Sequence, residues 1–113
     1  MARSHHIIKS SDEISTILKE GIRVKTALVT LFVRKTPQLR DQDGRVAFIA
    51  AKRLGNAVWR NRSKRVMRAA LHEAGGAIPG YDLLVMAKQS TQRAGSSAVA
   101  QELVGQRRKL LIK

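Results

Sequence analysis

Seven basic residues stand between positions 52 and 68, namely Lys52, Arg53, Arg60, Arg62, Lys64, Arg65 and Arg68, with no acid among them. Guanidinium and ammonium groups in such a run bind anions. Arginine forks onto a phosphate or stacks on a base, whereas lysine acts as a point charge. At about 100° per residue, Arg60, Lys64, Arg68, Arg65 and Arg62 spread over about 200° of one helix side. Val66, Trp59, Ala70 and Met67 occupy the other. Arg60–Lys64 and Lys64–Arg68 are like-charge pairs at i,i+4, and cations in the first turns oppose the helix dipole. A merely solvated face would mix signs, so the uncompensated charge points to an anionic partner. The free N–H groups beside Gly55–Asn56 could add a phosphate cradle; the alternative is that Asn56 is only an N-cap, the commoner role for such an Asn, and both can hold at once.

No other constellation competes. Cysteine is absent, which removes thiolate catalysis, disulfides and the common structural zinc sites. The eight acids are Asp12, Glu13, Glu20, Asp41, Asp43, Glu73, Asp82 and Glu102. They are scattered rather than clustered as a two-metal nuclease requires. Asp12 and Glu13 suit a helix start, and Asp41 and Asp43 a turn. Adjacent His5–His6 are a weak metal signal near a terminus, and His72 suits the end of a helix; no catalytic residue and no metal site is assigned. The whole chain carries 22 Lys+Arg against 8 Asp+Glu, a formal charge of +14 in 113 residues. Nucleic acid is the partner that gains most, through counterion release. With four aromatics and no apolar run of membrane length, a membrane partner is not expected, and a cytoplasmic location is.

The elements that must position these residues read as one domain over 1–113, with 43% apolar residues to build a core. A first helix spans Ser11–Glu20, capped by Ser10 or Ser11, striped by Ile14, Ile17 and Leu18 and ended by Gly21. Arg23–Arg34 is β-rich, Leu28, Thr30 and Phe32 opposing Val29, Leu31 and Val33. Pro37 and Asp41–Gly44 form a polar loop. Arg45–Ala51 is a strand, Ala57–Ala74 a long helix stopped by Gly75–Gly76 and Pro79–Gly80, and Tyr81–Ala87 an apolar strand. Gly95–Ser97 caps a closing helix marked by Val99, Leu103, Leu110 and Leu111. Helices interleaved with strands predict an α+β fold, a two-layer sandwich.

The run 51–65, Ala-Lys-Arg-Leu-Gly-Asn-Ala-Val-Trp-Arg-Asn-Arg-Ser-Lys-Arg, resembles the signature of the bacterial ribonuclease P protein subunit: a basic strand end, Gly-Asn-Ala-Val, one variable residue, Arg-Asn-Arg, another variable residue and Lys-Arg. The order of the surrounding elements agrees. The resemblance implies an α-β-β-β-α-β-α sandwich with a left-handed crossover from Arg45–Ala51 through Ala57–Ala74 to Asp82–Ala87. It also implies an RNA partner, the ribonuclease P RNA subunit. That RNA would carry the chemistry with magnesium, and the protein, binding no cofactor and inactive alone, would bind the 5′ leader of precursor tRNA. By carry-over, Arg60, Asn61, Arg62, Lys64, Arg65 and Arg68 face the RNA subunit, with Lys52, Arg53 and Asn56 at the helix entrance. Phe32 and Phe48 are carried over to the leader cleft, where a ring stacks on a base; the alternative for both is plain core. Ile14, Leu18 and Val29 stand where the family often has aromatics, and Ala51 where it often has serine, which reduces stacking capacity. Trp59 reads as a core anchor. The competing functions are a structural, ribosomal-type RNA-binding protein with no processing role and a DNA-compacting protein with apolar wedges.

Overall fold

In the computed structural model, residues 6–8, 10–35 and 44–112 are described. His5, Lys9, Pro37, Asp41 and Asp43 lie outside them, as do the side chains of His6, Leu110 and Leu111. The elements in order are β1 (His6–Ile7), α1 (Ser11–Glu20), β2 (Ile22–Lys25), β3 (Val29–Lys35), β4 (Arg45–Ile49), a 3-10 turn (Lys52–Leu54), α2 (Ala57–Glu73), β5 (Tyr81–Ala87), α3 (Thr91–Ala94) and α4 (Ser96–Ile112). The sheet order is β1-β4-β5-β3-β2. β4 and β5 pair in parallel, with α2 in the connection between them; β3 runs antiparallel to β5 and to β2.

Register assigns the two faces. Leu31 lies opposite Val85, and Val85 opposite Phe48; Phe32 lies opposite Leu84, and Leu84 opposite Ala47. Because side chains alternate along a strand, the first set shares one face with Val29, Val33, Val46 and Leu83. That face packs on Met67, Ala70 and Leu71 of α2 and on Val99, Ala100 and Leu103 of α4. The second face holds a smaller cluster: Phe32, Ala47 and Leu84 with Ile8 and with Ile17 of α1. The expected sandwich is therefore present, and α1 adds partial cover to the far side of the sheet.

Three local features differ from the bare sequence pattern. The β-rich stretch 23–34 divides at Thr26–Leu28 into two strands, as the family order requires. A two-residue strand, β1, pairs with β4 at the sheet edge. A one-turn helix, α3, precedes α4. Gly44 shows why the loop into β4 ends on glycine. Its φ is +88°, and a Cβ there would stand 2.4 Å from the carbonyl oxygen of Ile78. Both facts bar a side chain.

Candidate nucleic-acid interface

The helix α2 starts where Asn56 Oδ1 accepts from the Trp59 backbone N–H at 2.9 Å, so Asn56 is an N-cap. Just before it, Gly55 makes room for the Trp59 ring. A Cβ on Gly55 would fall 2.7 Å from Trp59 Cγ and Cδ2. The indole lies against Gly55 and packs, half-buried, against the main core. Lys52 and Arg53 of the 3-10 turn are exposed.

The packed arc of α2 is displaced from the one the wheel suggested. Ser63, Met67, Ala70 and Leu71 are its buried residues. Leu71 falls only about 20° from Arg60 on the wheel. Arg60 therefore falls within the packed arc and Lys64 at its margin, and both are half-buried. The Nε of Arg60 is buried with no hydrogen-bond partner among the described residues, as is Ser63 Oγ. The open cationic face is Arg62, Arg65 and Arg68, with Asn61 beside them. The Arg68 guanidinium sits over the Phe48 ring, 5.8 Å from its centroid. A stacked guanidinium keeps its N–H edges for other acceptors.

That contact corrects one expectation. Phe48 does not share a cleft with Phe32, because strand parity places it on the covered face, under α2. It is a platform for Arg68. Phe32 is on the opposite face, in a cleft of about 300 Å³ lined by Arg23, Thr30, Phe32, Arg53, Met86 and Lys88 among others. Only 8% of Phe32 is exposed, so the ring forms floor rather than wall. Arg23 lies directly across from Phe32, and Lys25 across from Thr30, so the edge strand β2 presents two cations to this side. Arg53 and Lys88 bring two more. Arg23 and Lys88 were not anticipated: cross-strand register places the first, and the second follows β5 by one residue.

The other end of this face is differently charged. Asp82, completely buried, accepts from Arg45 in a fork, Nε to Oδ1 at 2.9 Å and Nη2 to Oδ2 at 2.7 Å. It also accepts from Arg34 Nε at 2.9 Å. Arg45 continues to Glu13 of α1, and Arg34 approaches Glu20 at 3.8 Å. The Asp82 hydrogen bond is the main reason the Arg45 guanidinium holds its proton more tightly than usual. Two carboxylates of α1 are thus tied to two arginines of the sheet, which fixes the helix across one end of the face.

A cation-rimmed, ring-floored cleft and a basic helix, joined by one tight turn, mark a strongly cationic α+β domain. The chain belongs to the ribonuclease P protein family, whose family model, Ribonuclease P, matches residues 1–111. It is 38% identical over 82 residues to the ribonuclease P protein component of Shouchella clausii, covering 72% of this chain and 66% of that one. Against the Brevibacillus brevis protein component it is 31% identical over 109 residues, 92% and 81% of the two chains. The solved RNase P protein of Staphylococcus aureus superposes with a TM-score of 0.72 at 25% identity, over 88% of this chain and 90% of that one. The Thermotoga maritima RNase P protein gives 0.73 at 20% identity, over 95% and 97%, and shows the shared fold.

Proposed function

We propose that this protein assists the ribonuclease P RNA in removing the 5′ leader from precursor tRNA, α2 binding the RNA subunit and the Phe32 cleft holding the leader. The observation that carries this reading is the continuity of the two surfaces. Arg53 lines the cleft, and three residues after it Asn56 caps the helix whose open face is Arg62, Arg65 and Arg68. A strand of RNA leaving the cleft meets the basic helix at once. The protein's work here is positioning and charge neutralisation. The hydrolysis belongs to the RNA with its magnesium ions. The described residues offer no grouping of three His, Asp or Glu side chains, and Asp82 and Glu13 face guanidinium groups. Among the described residues this donor set does not suit a metal centre, and no step is assigned to one there.

Cleavage of precursor tRNA by ribonuclease P RNA alone, by protein alone and by both tests the reading. The protein should be inactive alone and should accelerate the RNA; no effect on the RNA would favour a structural RNA-binding role. On the helix, Arg62→Ala and Arg65→Ala should leave thermal stability unchanged or slightly raised, since each relieves like-charge crowding. Each should weaken assembly with the RNA subunit by about 1–3 kcal/mol and shallow its salt slope by about one. An Arg62→Ala protein that binds the RNA subunit as tightly as the parent would show that this face is not the interface.

In the cleft, Phe32→Leu keeps an apolar floor and removes the stacking face. It should cost roughly 1 kcal/mol of stability. Binding of leader-bearing precursor should weaken by roughly 1–3 kcal/mol more than binding of mature tRNA. Titrations of both substrates decide it: equal losses would make Phe32 a core residue only.

A further inference from the structure

Among the described residues, Glu102 has no ion-pair partner in a chain of 22 cations. Its carboxylate goes to a turn instead. Oε1 accepts from Thr26 Oγ1 at 2.6 Å and from the Leu28 backbone N–H at 2.9 Å. Thr26 also closes the turn on itself, accepting from the Val29 N–H at 3.1 Å through Oγ1 and donating its own N–H to Val29 O at 2.9 Å. The same turn is held from the far side of the cleft. Thr91 Oγ1 donates to Leu28 O and accepts from the Lys88 N–H at 2.8 Å, and Lys88 Nζ donates to Thr26 O.

These bonds link the two walls of the Phe32 cleft at one point. β2 carries Arg23 into the turn, β3 leaves it carrying Thr30 and Phe32, and the segment 88–89 forms the opposite rim. α4 packs on the covered face, yet one of its side chains fixes the turn between the two strands of the open one. We propose that Glu102 is a positioning residue for the cleft, setting the separation of Arg23 from Lys88 and hence the grip on single-stranded RNA. A carboxylate suits that task, because charge-assisted acceptance is stronger than neutral acceptance and holds two donors with one oxygen.

The proposal rests on the leader-binding reading of the cleft, and the test separates the two. Affinities for leader-bearing precursor and for mature tRNA are measured with the protein assembled on the RNA subunit. Glu102→Ala should lower the precursor-to-mature affinity ratio about tenfold. Glu102→Gln, which keeps an acceptor oxygen, should restore most of it. Affinity for the RNA subunit should not change. Thr26→Val removes the hydroxyl that links carboxylate to turn and should lower the ratio in the same direction, and it carries the test if Glu102→Ala fails to fold. Folded variants of Glu102 and Thr26 that keep the full ratio, or that lose both substrates equally, overturn the proposal while Phe32→Leu and Arg23→Ala lower the ratio. If Phe32→Leu and Arg23→Ala also leave it intact, the cleft is not the leader site and the positioning role falls with it.

Discussion

Asp82→Ala should lower the stability of the domain by about 3–5 kcal/mol, because it strands two guanidinium groups that are 12% and 19% exposed. A domain of this size has about 5–15 kcal/mol in total. The melting temperature should therefore fall on the order of 10–20 °C. Asp82→Asn keeps the shape and one acceptor and should lose less. The mechanism is specific: Arg45 and Arg34 reach α1 through Glu13 and Glu20 as well as the sheet through Asp82, so removing the carboxylate loosens the helix. Arg34→Met combined with Asp82→Ala should be less destabilising than Asp82→Ala alone, since one unpaired charge is gone. Denaturant unfolding of the three variants decides it, and a loss below about 1 kcal/mol for Asp82→Ala would mean that water replaces the carboxylate without penalty.

Affinity for RNA should fall on the order of 10³-fold between about 50 and 200 mM salt, if about six side chains meet phosphates. Lys52, Arg53, Arg62, Arg65 and Arg68 are exposed, and Lys64 is half-buried at the margin. Filter binding over that range reads the slope directly. A flat response would refute the electrostatic basis of the interface.

The order of elements and the basic helix were legible because both are local. The 3.6-residue period of α2 separates Met67 and Ala70 from Arg62 and Arg65, and Asn56 caps where its type and position predict. The wheel erred where it ranked only the obvious apolar residues. Leu71 and the small Ser63 shift the packed arc toward Arg60 and draw that arginine into the interface between layers. Strand alternation told Phe48 from its neighbours without saying which face a helix would cover. The parallel register of β4 with β5 decides that, and it links residues far apart in sequence. The same limit hid Arg23, which joins the cleft only through its pairing with Phe32. Asp82 stands among the scattered acids of the sequence, because its partners Arg34 and Arg45 are 48 and 37 positions away.

The carboxylates of α1 also make the molecule electrically lopsided. Lys19, Arg34, Lys35 and Arg45 are matched by Asp12, Glu13, Glu20 and Asp82, four against four, so the entire formal +14 rests on the remainder of the chain. The body is 37 Å along its longest axis, several times the screening distance of about 8 Å at physiological ionic strength. A polyanion therefore meets an uneven surface, drawn more strongly by the exposed Arg62, Arg65 and Arg68 of α2 and by Arg23, Arg53 and Lys88 of the cleft than by the paired charges of α1. Productive encounters become more frequent than random tumbling allows.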